Sequence, residues 1–189
     1  GIIITILNIT GLGTQMALLL VQVGTEIFVL FLFLLTVVII FLGMGMPTVA
    51  AYLLTITIGV PALVNLGYSD VSAHFFVLYV AILSNITPPV ALSAAVASNI
   101  AEAGFLETAW EAIKIGVGGF IIPFIILFQP AIINWQGINT IAATILSIIS
   151  ICLILMFIFG HTPRGRLGYK GRSVVFTAGC GLLAYLIYI

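Results

Sequence analysis

Charge is what this sequence is short of. Its 189 residues include five Lys or Arg and five Asp or Glu, 5% charged in all, with a formal net charge of zero. An ordinary globular domain carries roughly a quarter charged residues, so a solvated surface of the usual kind is excluded. There is no basic face and no acidic tail, which argues against a nucleic-acid partner. Cysteine is scarce as well. Cys152 and Cys180 sit in separate apolar runs without metal-ligand spacing, and read as small buried apolar side chains rather than as a disulfide or metal site. Also missing are Gly-x-Ser-x-Gly, His-Glu-x-x-His and any carboxylate pair expected at membrane depth, which argues against an intramembrane enzyme.

What the chain does have is apolar residues, 63% of the total, and a mean hydropathy of +1.40. No soluble fold hides that much apolar surface, so the expected class is an all-α polytopic membrane protein in a lipid bilayer. The sequence opens on Gly1 inside an apolar run, without Met or a signal-peptide pattern, and closes on Ile189 inside another. It is expected to be a piece of a larger membrane protein.

Residues 1–9 read as the end of a spanning helix. Between Thr14 and Val23, the spacing of Met16, Leu19, Leu20 and Val23 predicts a short amphipathic helix near one interface. The run from Ile27 to Leu42 is shorter than the roughly 20 residues needed to cross, and leads into Gly43-Met-Gly-Met-Pro-Thr48. The run from Val49 to Leu66 is itself expected to be interrupted at Gly59 and Pro61. Two short limbs around a glycine-proline tip predict a re-entrant hairpin over 27–66. After a turn at Gly67–Asp70, the stretch 71–103 is too long for one straight span. It carries Ser84-Asn-Ile-Thr-Pro-Pro-Val90 near its centre, and predicts one broken helix ended by Gly104. Then come an amphipathic piece over Phe105–Lys114 and a span over Ile115–Ile133 kinked near Pro123. A second span covers Ile138–Phe159, and a polar loop covers 161–172 with Arg164, Arg166, Lys170 and Arg172. A last span begins at Val174.

Basic residues concentrate on the cytoplasmic side. With the loop 161–172 inside, the Asn134–Gly137 turn and Asp70 fall outside. The hairpin then opens outwards and its tip points to the membrane middle, where the two breaks are expected to meet at similar depth.

In hydrocarbon an unpaired peptide group costs several kcal/mol, so broken helix survives only where protein or a polar cavity covers it. Two such breaks close together are what secondary transporters use to hold a substrate or ion near the midplane. Gly43, Gly45 and Thr48 at the first break offer backbone and hydroxyl oxygens. Ser84, Asn85 and Thr87 beside Pro88 add neutral oxygens at the second. A neutral cage without carboxylates suits a monovalent cation such as Na+ better than calcium. Simple capping of the broken ends by the same side chains is the other reading. Glu26, Asp70, Glu102, Glu107 and Glu111 all fall near an interface. His74 reads as an interfacial anchor in preference to a proton relay, and His161 as a solvated residue of the basic loop. Gly116-Val-Gly-Gly119 reads as a close-packing cluster, Met44 and Met46 as packing of the hairpin tip. Trp110, Trp135, Tyr185 and Tyr188 read as interfacial anchors or packing. A passive channel or a structural membrane subunit without ion coupling is the alternative function.

Taken in order, several blocks resemble the large membrane subunit of the tripartite ATP-independent periplasmic (TRAP) transporters, in particular the TAXI-type fused permease. They are Gly43-Met-Gly-Met-Pro-Thr48, Ala50-Ala51-Tyr52, Pro61-Ala62-Leu63, His74-Phe75-Phe76, Ile86-Thr-Pro-Pro-Val-Ala91 and Gly119-Phe-Ile-Ile-Pro-Phe124. The resemblance covers about Gly1 to Ile133. It implies the second half of an inverted-repeat, elevator-type symporter in a bacterial or archaeal inner membrane. Such a permease is driven by an ion gradient, usually sodium, fed by a periplasmic solute-binding protein, and takes up small organic acids such as dicarboxylates or glutamate-like compounds. It also implies that Gly43–Thr48 and Ser84–Pro89 line one ion site and one wall of the substrate site. On this reading residues 1–134 are the second-repeat transport region, and 135–189 are C-terminal membrane helices. Two departures matter. Many large subunits of the related branch carry an acidic residue where Pro47-Thr48 stand here, and the first repeat is absent from this sequence and is expected in the remaining N-terminal half of the same permease.

Overall fold

The computed structural model describes residues 2–162, 165–166 and 168–188, and is built almost wholly of α-helices. Among the described residues three helices are long and apolar enough to cross a membrane: Thr48–Asn65, Phe105–Phe128 and Ile138–Phe159. The chain divides into two compact units, residues 1–116 and 117–189.

In the first unit, α1 (Ile2–Thr10) and α2 (Leu12–Glu26) are separated by Gly11 in the left-handed region, φ +66°. The face α2 turns inward is made largely of small residues. Gly13, Ala17, Leu20 and Gly24 are buried while Leu19 is 64% exposed. Small residues let backbones approach where lipid gives leucine no reason to hide. A Cβ at Gly24 would stand 2.8 Å from Leu66 Cδ1, and one at Gly13 would stand 3.5 Å from the Thr57 carbonyl of α4.

Helices α3 (Phe28–Gly43) and α4 (Thr48–Asn65) pack on one another as a helical hairpin. Phe31, Leu35, Ile39 and Gly43 recur every four residues as the buried row of α3, which is one helical face. A Cβ at Gly43 would touch Ala51 and one at Gly59 would touch Ile39, so α4 doubles back along α3. The expected interruption at Gly59 and Pro61 does not occur: α4 runs unbroken with Pro61 inside it. Pro61 cannot pair with the carbonyl four residues earlier, that of Thr57, and this carbonyl lies beneath Gly13 of α2. A neighbouring helix covers the fault. Gly59 is required for another reason, since a Cβ there would fall 2.5 Å from Val77 Cγ2 of α5.

The hairpin's second limb closes on Gly67 (φ +92°), with Gly67 N donating to Val64 O and Tyr68 N to Leu63 O, the paired bonds of a Schellman end. Tyr68 stacks on Phe28 with centroids 5.5 Å apart, and burial pushes its phenol above the usual value. Ser69 caps α5 (Asp70–Leu83), its Oγ accepting from Ser72 N at 3.1 Å. After the break at 84–91 comes α6 (Leu92–Ile100), which packs through Ala91 and Ala94 on Ala109. The amphipathic piece and the following span are one continuous helix, α7 (Phe105–Phe128), rather than two elements. A glycine in mid-helix costs only about 1 kcal/mol, too little for Gly116–Gly119 to end it.

The second unit begins within α7 at Val117. A Cβ at Gly118 would stand 3.0 Å from Ile151 Cγ2 of α8 (Ile138–Phe159), the close approach expected of the glycine cluster. Thr140 knits the turn before α8 by donating to Ala131 O and accepting from Gln136 N, both at 2.8 Å. Beyond Gly160 a pair of two-residue strands, His161–Thr162 and Gly165–Arg166, leads into α9 (Tyr169–Tyr188). The last helix therefore starts five residues before Val174, and Arg172 lies in it rather than in a loop. Arg164 and the side chains of His161, Arg166, Lys170 and Tyr188 lie outside the described residues. Cys152 and Cys180 are exposed rather than buried, against the expectation of buried apolar side chains. Trp110, Trp135 and Tyr185 are exposed too.

Candidate functional site

The first break falls where two glycines and a proline weaken the helix within five residues. α3 ends at Gly43, Met44 is extended (φ −60°, ψ 131°), and Gly45 takes φ +76°. Pro47 (φ −57°, ψ 144°) then starts α4, whose N-terminus carries no side-chain cap. Met46 N donates to Gly43 O at 3.3 Å.

The second break is wound more tightly. Asn85 N, Ile86 N and Thr87 N donate in turn to the carbonyls of Ile82, Leu83 and Ser84, at 3.1, 3.1 and 3.4 Å. Pro88 and Pro89, joined by a cis peptide, then deny the helix two donors. Ala91 adopts the left-handed region (φ 37°), and Ser93 N reaches across the whole break to Asn85 O at 3.0 Å. Among the described residues the carbonyls of Met44, Gly45 and Met46, and those of Ile86, Pro88 and Pro89, accept no hydrogen bond. Both breaks therefore leave backbone oxygens bare.

These two segments are in contact. Gly43 and Ser84 are both buried, and a Cβ at Gly43 would stand 2.6 Å from Ser84 Oγ. Asn85 Nδ2 donates to Thr48 Oγ1 at 3.5 Å and to Ile82 O at 3.4 Å, both long bonds that hold the amide loosely. A Cβ at Gly45 would lie 3.5 Å from Val90 Cγ1. So Gly43, Gly45, Thr48, Ser84 and Asn85 are drawn together from the two breaks. Thr87 turns its hydroxyl back to Leu83 O at 2.8 Å, and neither it nor Pro88 hydrogen-bonds to the hairpin. Ser84 does likewise, donating to Ala81 O at 2.7 Å. The two hydroxyls thus make the local bonds of a capping role while keeping lone pairs on oxygen. Thr48, Asn85 and Thr87 are half-buried and reachable, whereas Ser84 is closed in.

Chemically, the arrangement offers neutral oxygens and bare carbonyls beside the ends of α3, α4, α5 and α6, and no charged side chain. Among the described residues no three of His, Cys, Asp and Glu cluster as metal ligands would. An apolar cavity of about 360 Å³ in the second unit, lined by Phe120, Phe124, Phe128 and Leu183, has Gln129 as its polar side chain, and that amide is already bonded to Leu186 O. Two features escaped the sequence reading. Val90, taken only as part of the proline block, is what Gly45 rests against. Tyr52 hydrogen-bonds His74 across α4 and α5, Oη to Nδ1 at 2.7 Å; the signal was two rings with polar atoms in mainly apolar helices.

No curated protein and no solved structure matches the chain. Residues 1–141 match the family described as the tripartite ATP-independent periplasmic transporter, DctM component, a transporter component and not an enzyme family. The match takes in both breaks and every helix that positions them, and its apolar helices are those of an integral membrane protein. The chain belongs to the DctM family of tripartite ATP-independent periplasmic transporters.

Proposed function

We propose that this chain forms the part of a TAXI-type TRAP permease that binds the coupling ion, sodium, together with one wall of the substrate site. The permease sits in a bacterial or archaeal inner membrane and imports small organic acids, dicarboxylates or glutamate-like compounds, handed over by a periplasmic binding protein. The observation that carries this reading is the meeting of the two helix breaks, Gly43 on Ser84 and Thr48 beside Asn85. Helix lengths argue for their depth. α5 has 14 residues, about 21 Å at 1.5 Å each, and α6 carries the chain on beyond the break. Against a hydrocarbon core of roughly 30 Å, a break between them falls inside the membrane whenever the Gly67–Ser69 turn is at its surface. α4 alone is long enough to cross, so the re-entrant reading rests on its tip packing against that break, not on its length.

Thr48, Asn85 and Thr87 supply the reachable side-chain oxygens, and the bare carbonyls supply the rest. Movement of this body against the remainder of the permease is the elevator step. In the full-length transporter reconstituted with its binding protein, Asn85→Ala is expected to raise half-saturating sodium about tenfold, roughly 1.4 kcal/mol, and Thr87→Ala less. Sodium dependence identical to the parent in both variants would remove these residues from the ion site and the reading with them.

A further inference from the structure

Tyr52 stands one helical turn beyond Thr48 on α4, and His74 one turn into α5. Their hydroxyl and Nδ1 are 2.7 Å apart, with both rings half-buried and their centroids 6.2 Å apart. The other ring nitrogen, Nε2, lies 3.8 Å from Asp70 Oδ2, one turn earlier on the same helix. A neighbouring carboxylate favours the proton on Nε2, which leaves Nδ1 as acceptor and makes the Tyr52 hydroxyl the donor.

Elsewhere the buried side chains of α4 and α5 are mostly apolar, among them Leu54, Ile58, Val77 and Val80, and Gly59 of α4 lies directly against Val77 of α5. Apolar contact is non-directional and resists sliding poorly. A hydrogen bond is directional, and in a lipid-embedded helix pair it has few competing partners. The site needs such a constraint, because the Asn85–Thr48 bond at 3.5 Å is too long to fix its own geometry.

We propose that the Tyr52–His74 hydrogen bond is a positioning clamp that sets the register of the hairpin's returning limb on α5 and so holds Thr48 opposite Asn85. Its effect on the ion rests on the sodium reading above; the register itself does not. The test therefore has two arms, both in the full-length transporter. In membrane vesicles, with the native cysteines replaced by serine and with Thr48→Cys and Asn85→Cys introduced, copper-phenanthroline cross-links the pair at a measurable rate. Tyr52→Phe is expected to slow cross-linking about fivefold, and so is His74→Ala. The double variant should be no slower than either. His74→Asn, whose Oδ1 occupies the place of Nδ1, should keep the parent rate. An unchanged rate in Tyr52→Phe, or a multiplicative loss in the double variant, would overturn the clamp. If Tyr52→Phe fails to accumulate in the membrane, the contrast between His74→Ala and His74→Asn decides alone. In the second arm, Tyr52→Phe in the otherwise natural transporter should raise half-saturating sodium about threefold at an unchanged maximal rate. Slowed cross-linking with an unmoved sodium requirement would break the link to the ion. Uptake by the parent without sodium would end the sodium reading while the cross-linking still judged the clamp.

Discussion

The hairpins α3–α4 and α8–α9 are both pairs of apolar helices that double back through a glycine-bearing connection, and they close their ends in opposite ways. At the end of α8, Gly160 N returns to Met156 O at 2.9 Å. Arg172 of α9 donates to Phe157 O from Nε (3.1 Å) and Nη2 (2.8 Å), and to Ile158 O at 3.4 Å. Midway, the buried Ser150 hydroxyl donates to Gly179 O at 2.7 Å. Carbonyls that a helix end leaves over are thus taken up by its own partner. At the tip of α3–α4 no side chain caps α4, and the carbonyls of Met44, Gly45 and Met46 stay bare. That tip is held from outside the hairpin, by Ser84 against Gly43 and Val90 beneath Gly45. Among the described residues, the carbonyls of Met156, Phe157 and Ile158 at the end of α8 all find partners within their own hairpin. The other hairpin is kept in place by packing, which leaves its tip carbonyls unpaired, and it is there that we propose the ion binds.

The largest effect that would break this contrast is expected at Gly43. Gly43→Ala places a methyl group 2.6 Å from the buried Ser84 Oγ and 3.0 Å from its Cβ, where neither helix end can yield without parting the two breaks. Overpacking of this kind costs about 1–3 kcal/mol. The full-length protein should lose uptake and several degrees of melting temperature. Adding Ser84→Gly should recover both in part; recovery of stability without uptake would show that Ser84 does more than fit beneath Gly43. A Gly43→Ala transporter with normal uptake would refute the packing account of the tip.

Arg172 tests the other hairpin. Arg172→Met keeps much of the stem but removes the guanidinium that closes α8 and lies over the Phe157 ring at 5.5 Å. Charge at a helix C-terminus and charge-assisted bonds together suggest about 1–2 kcal/mol. The expected outcome is a lower melting temperature with half-saturating sodium unchanged. A shift in sodium requirement comparable to that of Asn85→Ala would mean that α8–α9 is not the closed structural pair described here.

The features easiest to read from the sequence were those whose cause is local. Gly45 and Pro47 weaken a helix where they stand, as do Pro88 and Pro89, so both breaks and the α8 bounds at Ile138 and Phe159 fall where expected. Pro61 shows the limit. Its local effect is the same, but its consequence is decided by Gly13, far away in sequence, which lets α2 lie over the freed Thr57 carbonyl. The inward face of α2 is a similar case: apolar periodicity marks a buried face in water, whereas in lipid the packed face is the one of small residues. Lys114 and the glycines after it look like a helix boundary, yet none of them is costly enough to end α7. That the two breaks touch could be expected only through a topology; the pairs themselves, Gly43 with Ser84 and Gly45 with Val90, depend on register, which no short pattern encodes.

The smallest expected effect sharpens the contrast furthest. Ser150 is fully buried and its bond to Gly179 O is short, so in water-soluble terms its loss would be costly. The lipid-embedded case differs, because Gly179 O is also available to its own helix and hydrogen bonds between membrane helices average about 0.6 kcal/mol. Ser150→Ala leaves no charge unpaired and removes one oxygen from a tight contact, where a Cβ at Gly179 would already meet Ile154 Cγ1 at 3.1 Å. We therefore expect a melting-temperature change of a degree or two and unaltered uptake and sodium dependence. Thr48→Val, of comparable size and likewise the loss of one hydroxyl, is expected to spare stability and raise half-saturating sodium several-fold. If the two substitutions instead gave the same profile, the polar groups of the hairpin tip would be serving the fold as those of α8 and α9 do, and the distinction between a sealed hairpin and a ligand-bearing one would fail.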